Sequence, residues 1–208
     1  QLSTALINVQ RFNETQQRAL QLKTASEVSR RVTLILNIDQ LLAEVVKLIQ
    51  DNFKYYQVQI FLYEPESNSW VMREGSGVGT ASMKEVRYSY RNEEGIVGQV
   101  GTKGVSILFA DVSEQPTYVF NPYSPNTKAA LAVPLRLGAQ VLGVLHVQSD
   151  KIGGLTASDR AIMETLANQV VVALRNAQLF SKIQTQLSER EVLYTASTAI
   201  SGAQDLKM

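Results

Sequence analysis

The chain has 208 residues, 45% hydrophobic and 19% charged with a net charge of +1, which suits one globular domain with helical extensions rather than a disordered chain and gives no electrostatic footprint for nucleic acid. It holds no cysteine, so disulfides, thiolate nucleophiles, thioether-linked chromophores and cysteine-ligated metal centres are all excluded. No apolar run reaches the roughly 20 residues that span a bilayer, and no charged-then-apolar leader opens the chain, so the expectation is a cytoplasmic protein without membrane insertion.

Residues 1–38 contain no Gly or Pro and are rich in Leu, Gln, Ala and Arg, which predicts an incoming helix. Leu2, Ala5, Val9, Phe12 and Ala19 share one heptad seam on it, interrupted by Gln16. Asn37-Ile38-Asp39 supplies a break and an N-cap. Leu41, Leu42, Val45, Val46, Leu48 and Ile49 then give an amphipathic second helix ending near Asn52. Gln57–Glu64 reads as a strand, Pro65–Ser69 as a turn and Trp70–Glu74 as the hairpin partner. Gly75, Gly77 and Gly79 mark a loop, and the alternation of Glu85–Tyr90 predicts a third strand.

The segment from Arg91 to Lys128 is the least regular. Gly95–Val100 has the look of a short helix and Ile107–Val112 of a short extended piece, while Pro116, Pro122 and Pro125 make the rest loop-like. Two Val- and Leu-rich runs, Ala129–Leu137 and Val141–Ser149, flank Gly138-Ala139-Gln140 and predict a hairpin. Thr156 can cap a last helix, with Asp159 as its reciprocal partner. Ile162, Leu166 and Leu174 face the sheet on that helix, and Val170, Ala173, Ala177 and Phe180 form a second apolar seam. More apolar surface than one domain needs implies a partner helix, most economically a second copy of the chain.

The ordered string LAVPL…G…VLGVLHVQS…LTASD…LAxQV…ALxNAxL, together with GIVGQV and LFADV, resembles a GAF domain, a PAS-like sensory module, over about Leu41 to Phe180. The resemblance implies an α+β fold: a central antiparallel sheet of five or six strands with long N- and C-terminal helices on one face. It also implies irregular segments over the other face, with any ligand beneath them. The domain would occupy residues 39–180, between an incoming signalling helix at 1–38 and an outgoing helix at 181–208.

The ends repeat each other. Ala5–Phe12 matches Ala173–Phe180 at Ala, Leu, Asn, Gln and Phe, 168 residues apart, and Leu22, Thr24, Ala25 and Ser26 match Leu193, Thr195, Ala196 and Ser197, 171 apart. Residues 1–18 then read as the tail of a preceding repeat, and the outgoing helix as the start of the next, in a tandem array within a bacterial signalling protein.

Catalytic motifs are absent. The one histidine, His146, lies in an apolar strand, and no G-x-S-x-G elbow or other nucleophile motif accompanies it. Gly75-Ser76-Gly77-Val78-Gly79 lacks the G-x-G-x-x-G spacing and opens no obvious helix, so it reads as a flexible turn rather than a phosphate loop. The expectation is no catalysis by this chain, no metal and no certain cofactor. The Asn-Lys…Phe…Asp-Glu signature of cyclic-nucleotide relatives is missing, and the cysteine that bilin-binding relatives use is missing too. An unidentified small molecule remains as the possible ligand, with Tyr88, Tyr90, Arg91, Asp111, Tyr118, Tyr123 and His146 as candidate contacts. Sensing joined to signal relay through a parallel homodimer is the leading reading, with Ala5, Val9, Phe12, Val170, Ala173, Ala177 and Phe180 at the interface and flanking output domains as further partners. A ligand-free dimerisation spacer and a photoreceptor with a non-covalent pigment stay open beside it.

Overall fold

The structure, a computed structural model, describes residues 35–205 and the side chains of 35–190. The incoming helix and its seam residues Ala5, Val9 and Phe12 lie outside the described residues, as does the first member of each matched pair in the terminal repeat.

Helix α1, Ile38–Phe53, starts where the Asn37 side chain accepts from the Gln40 N–H at 3.0 Å. It stops at Lys54, which takes the left-handed conformation with φ 54° and returns its N–H to the Gln50 carbonyl. Strand β1, Gln57–Glu64, pairs antiparallel with β2, Ser69–Gly77. This second strand is longer than the expected Trp70–Glu74, because Gly75 and Gly77 stay in register opposite Gln59 and Gln57 and so belong to the ladder rather than to a loop.

The expected strand over Glu85–Tyr90 is corrected more deeply. Thr80–Glu85 forms a short helix, α2, directly after a glycine run whose spacing predicts none, and only Ser89–Arg91 pairs as β3. Arg87, at φ 51°, breaks the alternation between them. Gly79 sets the entry to α2: it has φ +75°, and a Cβ there would sit 2.1 Å from the Tyr123 carbonyl oxygen, so no other residue fits.

Helix α3 spans Gly95–Lys103, and β4 is limited to Ile107–Phe109, shorter than the expected Ile107–Val112. A 3₁₀ turn, Val112–Glu114, replaces its end. Strands β5, Ala129–Leu137, and β6, Gln140–Ser149, meet around Gly138-Ala139, a two-residue turn with Gly138 at φ 62°. Helix α4, Ala157–Asp205, begins at the expected reciprocal cap: Thr156 N–H donates to the Asp159 carboxylate at 2.9 Å, and the Asp159 N–H points back at Thr156 Oγ1 at 3.4 Å.

The six strands lie in the order β3-β2-β1-β6-β5-β4, each antiparallel to its neighbours. Helices α1 and α4 cover one face through a wholly apolar layer that includes Leu42, Ile49, Ile60, Leu131, Leu145 and Leu166. The other face carries α2, α3 and the irregular segment, packed on Phe61, Trp70, Met72, Tyr90 and Val97. Val170, Ala173 and Ala177, read from the sequence as an interface seam, are 0–2% exposed inside the first layer. The reason is that α4 packs on β5 and on α1 at once, so one domain consumes both of its apolar stripes. Of that expected seam only Phe180 reaches the surface, at 39% exposure.

Candidate functional site

Alternate residues of a strand point to opposite faces of the sheet. On β1 this turns Gln57, Gln59 and Phe61 away from the helices, and on β6 it does the same for Val144, His146 and Gln148. The register places Gln57 opposite Gln148 and Gln59 opposite His146. Four polar side chains therefore form one block in the middle of the sheet, each no more than 2% exposed. The next strand adds only Ala130 beside Gln148 and Ala132 beside His146, so nothing extends past Cβ along that side of the block.

The hydrogen bonds in the block run in one direction. Gln57 Nε2 donates to the backbone carbonyls of Val78 and Tyr123, which can only accept, and this orients its amide. Its Oε1 then accepts from Gln59 Nε2 at 2.6 Å, and Gln59 Oε1 faces His146 Nδ1 at 3.0 Å. Gln148 Nε2 stands 3.4 Å from both Gln59 Oε1 and His146 Nδ1, so the shorter 3.0 Å contact with the Gln59 oxygen assigns the proton to Nδ1 and leaves Nε2 of His146 as an acceptor. No donor reaches Nε2 among the described residues. A buried acceptor left in this state costs about 1–3 kcal/mol. Burial also lowers the His146 pKa to about 3, so the ring is neutral at physiological pH. Thr127 hydroxyl caps the far end of the block on Gln148 Oε1, while Ser124 Oγ and Tyr56 Oη are further buried atoms without a partner.

Aromatic rings surround the block. Phe61 lies 6.3 Å from the imidazole and 5.5 Å from Tyr90; Tyr88 meets Tyr90 and Tyr123 edge-on at 5.3 and 5.8 Å. Burial is the main reason the hydroxyls of Tyr88, Tyr90 and Tyr118 are pushed above the usual tyrosine range, so all three remain protonated.

Five of the residues singled out in the sequence, Tyr88, Tyr90, Tyr118, Tyr123 and His146, thus gather on one side of the sheet. Two do not join them. Asp111 turns its carboxylate onto Ser113, accepting from its N–H at 2.9 Å and its hydroxyl at 2.7 Å, and so caps the 3₁₀ turn; those two bonds hold it below the usual carboxylate range. Arg91 is exposed at the end of β3, where its backbone N–H donates to Glu94. The sequence reading missed Gln57, Gln59, Gln148 and Thr127. Their signal was present as polar residues at a period of two inside QVQIF and HVQS, on the face that the irregular segment happens to cover.

Among the described residues, no three His, Asp or Glu side chains converge as metal ligands would. Two open clefts lie elsewhere. One of about 320 Å³ runs past Ser106, Arg136, Arg160 and Glu164, and one of about 470 Å³ past Leu36, Arg73 and Phe180. Neither is lined by a buried unpartnered polar atom, which sets the His146 block apart.

A family model described as GAF domain matches residues 36–175. The chain is 22% identical to the Nif-specific regulatory protein of Azospirillum lipoferum over 166 residues, 75% of this chain and 26% of that protein, so it spans about a quarter of the length of the curated relatives it matches. Among solved structures, the GAF domain of a phosphoenolpyruvate-protein phosphotransferase from Coxiella burnetii superposes with a TM-score of 0.71 at 20% identity, over 78% of this chain and 96% of that one. The free methionine-R-sulfoxide reductase of Neisseria meningitidis, solved with its substrate, gives a TM-score of 0.68 at 19% identity, over 77% and 92%. This last likeness corrects the expectation of no catalysis: an enzyme is built on the same fold, so the fold and the missing sequence motifs do not exclude one here.

Proposed function

This chain belongs to the GAF domain family, and from that premise we propose that it is a sensory unit of a longer regulatory protein, holding a small molecule against the buried His146 block and passing its state outward along α4. The observation that carries the proposal is the unpartnered Nε2 of His146: a fully enclosed acceptor with an oriented ring and no internal donor is what a ligand-recognition atom looks like without its ligand. Tyr88, Tyr90, Tyr118 and Tyr123 line the same side, and the irregular segment packs above them. Native mass spectrometry of the purified chain tests this reading. A small molecule retained by the wild type and lost from His146→Gln is the expected result; identical spectra for the two would count against it.

For the relay, the proposal keeps the parallel homodimer and moves its seam. Val172, Leu179, Ile183 and Leu187 are 44–56% exposed and fall within one stripe of α4, on the side away from the sheet. A second copy packed there in parallel places each residue against its own counterpart. Small shifts of α4 over β5 are then transmitted to the paired helices. Light scattering at tens of micromolar decides the matter: a dimer mass that falls to a monomer in Ile183→Glu/Leu187→Glu supports the seam, and a monomeric wild type rejects the relay. The terminal repeat supports a setting within a tandem array, with the output in another part of the longer protein.

A further inference from the structure

We propose that the site beside His146 selects an uncharged molecule that donates an N–H or O–H to Nε2, and that it rejects anions and cations. The proposal rests on the reading of the buried block as a ligand site and adds the chemistry of what enters.

The donor requirement follows from the anchored amides. Gln57 is fixed by two backbone carbonyls, Gln57 fixes Gln59, and Gln59 fixes the tautomer of His146, so the block asks for a hydrogen at Nε2 and offers none. The charge requirement follows from what faces the block. Its neighbours are Met83, Phe61, Tyr90, Asn121, Ser124, Thr127 and two alanines, all neutral. The charged side chains of the covering segment point elsewhere: Arg91, Glu93, Glu94, Lys103, Glu114 and Lys128 are exposed, and Asp111 is taken up by Ser113. A phosphate, carboxylate or ammonium group placed here has no counter-ion and loses its water.

Because His146 is the sole histidine, the two ring nitrogens of the ¹⁵N-labelled chain report on the site without ambiguity. The free protein is expected to show a protonated Nδ1 and an unprotonated Nε2. The probes are pyrrole, a flat neutral N–H donor; furan, its donor-free counterpart; acetate; and methylammonium. Pyrrole should shift Nε2 saturably, furan should bind about tenfold more weakly, the worth of one hydrogen bond, and the two ions should leave both nitrogens unmoved. His146→Gln should erase the preference for pyrrole over furan. Should that variant not fold, Ala132→Leu, which fills the strip beside the ring, should weaken pyrrole while leaving the tautomer as it was. A protonated Nε2 in the free protein, equal affinity for pyrrole and furan, or acetate bound at the ring overturns the ligand class and leaves the site reading standing. Silence of His146 and Tyr90 to all four probes overturns both.

Discussion

The two faces of the sheet are built from the same strands and behave as different materials. On the helical face Val58, Ile60, Leu131, Val133, Leu145 and Val147 meet Leu41, Val45, Leu166 and Leu174 with no polar atom among them. On the covered face the intervening residues are Gln57, Gln59, His146 and Gln148, equally buried but joined by hydrogen bonds that stop one donor short. An apolar layer tolerates no specific geometry beyond shape, whereas a polar layer in a low-dielectric interior fixes orientation and penalises every missing partner. The lesson is a division of labour at a period of two: one residue holds the apolar layer, and the next joins a buried polar network.

The largest expected effect separates the faces directly. Leu166→Ala removes a side chain that is 1% exposed at the centre of the helical layer and should cost about 2–5 kcal/mol in chemical denaturation. The ring-nitrogen shifts of His146 should stay as in the wild type; their movement would show that the two layers are coupled.

Second comes pH. The folded-state pKa of His146 is lowered by burial to about 3, against an ordinary value of 6.5, so the unfolded chain binds a proton that the folded chain refuses. Its contribution to stability is complete above pH 6.5 and is lost as pH falls toward 3, at roughly 1.4 kcal/mol per pH unit. In denaturation of the wild type and His146→Gln at pH 7, 6 and 5, the wild type should lose stability relative to the variant as pH falls, approaching this slope below pH 6. Parallel curves would mean that the covered layer is open enough for the ring to protonate.

A smaller effect sharpens how tightly the cover sits. A Cβ at Gly101 of α3 would lie 2.2 Å from the Trp70 ring, so Gly101→Ala should push the helix off β2 and cost about 1–3 kcal/mol. Trp70 is the only tryptophan, and its fluorescence should shift in that variant and not in Leu166→Ala. Smallest is Thr156→Ala, which removes the cap of α4 at a site belonging to neither layer and should cost about 1 kcal/mol without changing any probe of His146.

Much of the scaffold was legible because local rules decided it. The Gly138-Ala139 turn between two β-rich runs, the Asn37 cap and the Thr156–Asp159 pair each depend on residues a few positions apart. The strand expected over Glu85–Tyr90 failed where a local alternation competed with Gly79, whose place is dictated by Tyr123, far along the chain. The seam of Val170, Ala173 and Ala177 failed for a related reason: periodicity marks a face as apolar and is silent on whether the same chain already covers it.

What the sequence by itself determined is the composition of the two strand faces, the caps and turns that bound the elements, and the absence of any thiol chemistry. Only the tertiary structure decided that Gln57, Gln59, His146 and Gln148 are neighbours and are buried. Polar residues alternating in a strand ordinarily face water. Here 89 residues of chain separate Gln59 from Gln148, and the segment that seals them in lies between the two strands, so both the pairing and the burial are long-range events that no short-range pattern encodes.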